Sequence, residues 1–183
     1  RRRNQVNQVA PIQQDGTVSL SRTELVASLV LPGGNVSAKG HVDLVPSSFA
    51  FLKGLFKSFD RIRWLKLVVF YKPAVGTVYG GLVSVGMDWD FASDDVARTS
   101  LSGFTPNFTT AAWQDTQTRP MVLPPARMQS QNWYTPTGAD ATWTQKGPGK
   151  LHWALDGTKD TAARTVGELW VSYSVQLMGT NPA

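Results

Sequence analysis

The chain has 183 residues, enough for one domain with a real core. It has no Cys, which excludes a disulfide framework, and no apolar run approaching the roughly 20 residues that a membrane span needs. Charged residues make up only 17%, yet the formal balance is +5, which favours a polyanionic partner. Seven Trp are spread from Trp64 to Trp170, so no long segment lacks core material. With no initiator Met and an RRR start, the chain is expected to be the ordered part of something longer.

Residues 1–16 open with RRRNQVNQVAPIQQ, polar and without apolar periodicity, and are read as an extended arm ahead of a domain at 17–183. Arg1, Arg2 and Arg3 fit the end of a basic tail that binds nucleic acid. Thr17–Leu31 reads as a strand, Pro32-Gly33-Gly34-Asn35 as a turn, and Ser37–Val45 as a second, shorter strand. The period then changes. Phe49, Leu52, Phe56 and Phe59 recur at helical spacing, so a helix is predicted over Ser47–Arg61, with Lys53, Lys57 and Arg61 on its other face. From Lys53 to Lys72 six bases, Arg63 and Lys66 among them, face one acid, Asp60. Such a stripe is either a solvated face with snorkelling side chains or a surface for RNA.

Trp64–Lys72 and Thr77–Met87 carry strong strand patterns around a Pro73–Gly76 turn, which predicts a hairpin. Strict alternation puts Leu65, Leu67, Val69 and Tyr71 on one face of its first strand, and Trp64, Lys66, Val68, Phe70 and Lys72 on the other. Val96–Phe104 is expected to hold a helical turn, Phe108–Trp113 and Pro120–Leu123 short strands, and Leu151–Leu155 a strand. Leu169, Val171, Tyr173, Val175 and Leu177 then give the cleanest period-two pattern in the chain. About eight strands, one main helix between early strands and no βαβ unit define an all-β antiparallel sandwich.

Chemistry is sparse. His41 and His152 each fall in a strand pattern, and there is no nucleophile elbow, phosphate loop or HExxH motif, so an enzyme is not expected. The dense feature is acidic: Asp88, Asp90, Asp94 and Asp95 fall within eight residues. Crowded carboxylates suit a hard cation such as Ca²⁺, which takes six to eight oxygens, or else form a solvated loop. If only two or three acids converge, a neighbouring subunit must supply the remaining ligands.

The ordered series of features resembles the shell domain of small icosahedral plant RNA virus coat proteins of the sobemovirus and tombusvirus type. The residues that carry the resemblance are a basic Gln-rich arm, TELVASLVL, the helix SSFAFLKGLFKSFDRIRW leading into WLKLVVFYKP, then GGLVSVGMDWDFASDD, NWY at Asn132–Tyr134, PGKLHWALDG and VGELWVSYSVQL. The resemblance covers nearly all of Thr17–Gly179. It implies an eight-stranded jelly roll that self-assembles into a quasi-equivalent icosahedral shell, located in the virion and in host cytoplasm during assembly. It implies an inner surface and arm that neutralise single-stranded genomic RNA, here Arg1, Arg2, Arg3, Lys53, Lys57, Arg61, Arg63 and Lys66, with more of the arm upstream. It also implies Ca²⁺ between subunits on Asp90 and Asp94, with Asp88 and Asp95 as alternatives, the Tyr134 carbonyl and Asn181. Ser93 stands at one of the family's acid positions. The chain stops soon after its last strand, which implies a smooth-shelled relative without a protruding domain. The competing readings are a calcium-dependent carbohydrate-binding β-sandwich, which leaves the RRR arm and basic helix unexplained, and a glycosidase, which lacks a catalytic arrangement.

Overall fold

A computed structural model describes residues 16–91, 93–128, 130–136 and 143–180. Eight strands run in chain order: β1 (Val18–Leu31), β2 (Ser37–Asp43), β3 (Phe59–Pro73), β4 (Leu82–Asp88), β5 (Asn107–Ala111), β6 (Met121–Val122), β7 (Lys150–Asp156) and β8 (Arg164–Thr180). The short helices α1 (Ala50–Phe56), α2 (Arg98–Leu101), α3 (Pro125–Met128) and α4 (Trp143–Lys146) lie in the connections. The strands form two antiparallel four-stranded sheets, ordered β1-β8-β3-β6 and β2-β7-β4-β5. That is the antiparallel sandwich expected from the pattern, in the eight-stranded jelly-roll order that the resemblance implied.

The core lies between the sheets. β8 delivers Leu169, Val171, Tyr173, Val175 and Leu177, all at most 2% exposed, which is the period-two set read from the sequence. α1 closes one side. Phe49, Trp64 and Tyr173 meet there with ring centroids 5.0–6.1 Å apart, the two contacts of Tyr173 edge-on. The carboxylate of Glu24 on β1 fastens α1 to the sheet. It accepts the Phe51 amide at 2.8 Å, one of the first-turn N–H groups that a helix leaves unsatisfied, and it accepts the Tyr173 hydroxyl. Burial, with Glu24 next, pushes the Tyr173 phenol well above its usual range.

Three expectations are corrected. The hairpin of Trp64–Lys72 with Thr77–Met87 does not form, because β3 and β4 belong to different sheets. Both edges of β3 are occupied, by β8 and β6, and both edges of β4 by β7 and β5, so the connection crosses the sandwich. The helix predicted over Ser47–Arg61 is a 3₁₀ turn at Pro46–Ser48 followed by the short α1, and Phe59 and Arg61 belong to β3. Phe49, Leu52 and Phe56 keep their helical spacing and are buried, but backbone pairing of Phe59 with Thr180 and Arg61 with Met178 takes the last turn into the sheet.

The third correction concerns the faces of β3. Its pairing with β8 shifts register between Trp64 and Lys66. The extra residue lets Trp64 and Leu67, three positions apart, both lie in the core at 0% exposure. Strict alternation holds on each side of this bulge and fails across it.

Candidate nucleic-acid face and acidic loop

The bulge decides where the bases of β3 go. Before it, Ile62 and Trp64 are buried, so Arg61 and Arg63 face outward; after it, Leu67, Val69 and Tyr71 are buried, so Lys66 and Lys72 face outward. Four cations thus line the same face of one strand, whereas unbroken alternation would divide them between two. Residues two apart on a strand rise about 6.6 Å. The register continues the face onto β8 and β1: Arg63 is level with Gln176 and Ser19, Lys66 with Ser174 and Ser21, and Val68 with Ser172 and Thr23. Hydroxyl pairs knit these rows together, Ser21 to Ser174 at 2.6 Å and Thr23 to Ser172 at 2.5 Å. A shallow groove of about 940 Å³ runs along Lys66, Val68, Lys72, Ser172 and Ser174. The acid level with Lys72 is Glu168, whose carboxylate accepts the Trp170 indole N–H at 2.9 Å, while the Lys72 ammonium lies 4.2 Å from the Trp170 ring. Lys72 belongs to this face although the sequence-derived RNA set leaves it out. Lys53 and Lys57 are exposed on and just after α1, apart from this row, so the predicted helical stripe Lys53–Lys57–Arg61 is divided between two elements. Arg1, Arg2 and Arg3 lie outside the described residues.

The acids after β4 divide in two. Asp88 and Asp95 hold their own loop. Asp88 accepts the Asp90 amide at 2.9 Å and the Ser93 hydroxyl at 2.5 Å. Asp95 meets His41 Nδ1 at 2.5 Å. Lys39 donates to the Asp95 carbonyl and Lys150 to the Ser93 carbonyl, both at 2.9 Å. Four side chains from β2 and β7 therefore clamp the loop: Lys39 and His41 from one strand, Lys150 and His152 from the other. His41 and His152 are level in register and their rings are 5.8 Å apart. His152 is fully buried, its Nε2 is 3.2 Å from Ser93 Oγ, and burial pushes its pKa down against the upward pull of Asp88. The sequence signal for this clamp is the repeated Lys-x-His at Lys39–His41 and Lys150–His152, which places each pair on one strand face.

Asp90 and Asp94 are exposed on the same loop. Among the described residues no three His, Cys, Asp or Glu side chains group so as to hold a metal ion. Tyr134 is 1% exposed, and its backbone bridges β3: its amide donates to the Ile62 carbonyl at 2.8 Å and its carbonyl accepts the Ile62 amide at 3.0 Å. One lone pair of that carbonyl remains. Asn181 lies outside the described residues. Carboxylate oxygens match a hard cation, but one chain offers too few for the six to eight that Ca²⁺ takes, so only a contribution from a neighbour completes such a site.

Two four-stranded antiparallel sheets in jelly-roll order, with a row of bases on the outer face of β3, define the class: a β-sandwich of shell-subunit type. The comparisons agree. The family model for viral coat protein (S domain) matches residues 1–183, and the chain belongs to that family. It is 30% identical over 94 residues to the capsid protein of Poinsettia latent virus, a match that takes in 47% of this chain and 30% of that protein. Among solved structures, tobacco necrosis virus superposes with a TM-score of 0.76 at 19% identity, covering 91% of this chain and 97% of that one. Melon necrotic spot virus gives 0.76 at 21% identity over 99% of this chain and 55% of that one, and Cocksfoot mottle virus 0.70 at 14% over 88% and 94%. The chain is thus a viral coat protein shell domain, structural and not enzymatic. The carbohydrate-binding and glycosidase alternatives fall away.

Proposed function

We propose that this shell subunit packages single-stranded RNA and that calcium at its subunit contacts controls the stability of the particle. The observation that carries the first part is the row of Arg61, Arg63, Lys66 and Lys72 on the outer face of β3. Packaging needs charge neutralisation without base readout, which a row of cations beside hydroxyl-bearing strands supplies in a salt-dependent way. This face is turned to the RNA, and Arg1, Arg2 and Arg3 add their charge to it. The calcium part rests on the exposure of Asp90 and Asp94, which stand on the acidic loop where a neighbour can reach them. Asp90 and Asp94 with oxygens of an adjoining subunit hold the ion, and without it their charges repel across the contact.

The test is sedimentation of the purified protein with single-stranded RNA and Ca²⁺, with and without chelator. A fast particle boundary that swells or dissociates on chelation at neutral pH supports both parts. A fast boundary indifferent to chelator keeps RNA packaging and removes the calcium switch. Particles that form equally well without RNA, and carry none, remove the packaging reading.

A further inference from the structure

The outer face of β1, β8 and β3 carries an apolar row that phosphate neutralisation does not use. Leu25, Trp170 and Phe70 are level in register across the three strands. Leu25 is 39% exposed and Trp170 is half-buried, so the row is open to solvent over β1 and β8. The next row to one side is Thr23, Ser172 and Val68, and to the other Glu168 and Lys72. Trp170 and Phe70 also line the groove of about 940 Å³, together with Lys66 and Lys72. The indole is held in place, because its N–H donates to Glu168 Oε2 at 2.9 Å. The Lys72 ammonium stands 4.2 Å from the Trp170 ring and 5.6 Å from that of Phe70. A ring face that an ammonium reaches is not packed against the sheet.

This combination selects its occupant. An apolar segment of a second copy would cover Trp170, but it would also take Lys66 and Lys72 out of water without partners. A nucleotide brings a flat π system and a negative charge together. A base stacked on an aromatic ring gains more than the exposed cation–π contact it displaces, and the displaced ammonium pairs with phosphate. We infer that Trp170 is a stacking platform for one base of the bound single-stranded RNA, with Lys66 and Lys72 on the flanking phosphates. The inference rests on the RNA-packaging reading and deepens it: the sheet holds RNA by a base as well as by the backbone. Base identity is not read, since every base has a π face.

The test uses the full chain as unassembled subunit and fluorescence anisotropy with two labelled probes of equal length, an oligouridylate and an abasic ribose-phosphate oligomer. The oligouridylate is expected to bind about tenfold tighter than the abasic probe. Trp170→Leu is expected to bring the oligouridylate down to the abasic level while the salt dependence of both probes stays as it was. Trp170→Tyr, which keeps a ring, is expected to retain most of the difference; circular dichroism checks that both variants fold. Arg61→Ala with Arg63→Ala is expected to weaken both probes by the same factor. Equal affinities of the unsubstituted chain for the two probes overturn the stacking platform and leave packaging standing. Failure of both probes to bind overturns both. A preference for the oligouridylate that survives Trp170→Leu overturns the assignment to Trp170. Loss of self-association in Trp170→Leu with unchanged RNA binding gives the row to a second copy and overturns the inference.

Discussion

Arg63 and Lys66 point to the same side of the sheet although they are three residues apart, because the bulge of β3 between Trp64 and Lys66 resets the alternation. The same bulge keeps Trp64 and Leu67 together in the core. One inserted residue therefore serves packing and charge at once. If β3 alternated strictly through Leu65, a buried Trp64 would carry Lys66 and Lys72 to the core side with it.

The row can be tested by salt dependence. Each phosphate contact to single-stranded nucleic acid contributes about 0.7 to the slope of log K against log salt, so replacing Arg61, Arg63, Lys66 and Lys72 by Ala is expected to reduce that slope by about 3. Fluorescence anisotropy of a labelled RNA between low and moderate salt reads it directly. A slope unchanged in the quadruple variant assigns RNA to another surface.

For calcium, Asp90→Asn with Asp94→Asn is expected to leave the fold intact and to abolish the dependence of particle stability on Ca²⁺. Asp88→Asn instead loosens the loop from within, since Asp88 accepts from Ser93 and from the Asp90 amide. Thermal shift of assembled particles with and without chelator separates the two, and chelator sensitivity that persists in the double variant rejects Asp90 and Asp94 as ligands.

Glu24→Ala removes the acceptor for both the Phe51 amide and the Tyr173 hydroxyl, leaving a part-buried helix amide and a buried hydroxyl unpaired. The expected cost is about 3 kcal/mol, with Glu24→Gln costing less because one carbonyl oxygen remains. Chemical denaturation of the unassembled chain measures both, and equal losses for the two would show that charge, not acceptor geometry, holds α1 down.

Two glycines form a matched pair. A Cβ at Gly167 would lie 2.3 Å from the ring of Tyr71, which is itself fixed by its hydroxyl against the Ala112 and Val166 carbonyls at 2.6 and 3.0 Å. A Cβ at Gly54 in α1 meets nothing within 4 Å. Gly167→Ala is expected to cost about 3 kcal/mol by overpacking a rigid neighbour. Gly54→Ala is expected to stabilise by about 0.5–1 kcal/mol through helix propensity. Melting temperatures that move in the same direction would contradict this account.

Much of the site was legible only in part. The acidic run after β4 is visible in the sequence, but its division is not: Asp88 and Asp95 are set apart from Asp90 and Asp94 by His41, Lys39, His152 and Lys150, which arrive from strands 50 residues or more away in either direction. The bases from Lys53 to Lys72 are likewise visible as a cluster, while the separation of the strand row from Lys53 and Lys57 depends on where α1 ends.

What the amino-acid sequence determined by itself is the local and periodic part. The alternation of β8, the burial of Phe49, Leu52 and Phe56 and the turn residues between strands made an eight-stranded sandwich with an early helix readable, because each follows from a face that must be buried. What only the tertiary structure decided is how those faces are used. Whether β3 pairs with β4 depends on which edges β8, β6, β7 and β5 have already taken. Where β3 bulges depends on its register with a strand more than 100 residues away. Alternation is a property of one strand, but register and edge occupancy belong to pairs of strands, and it is register that put the bases of β3 on one face.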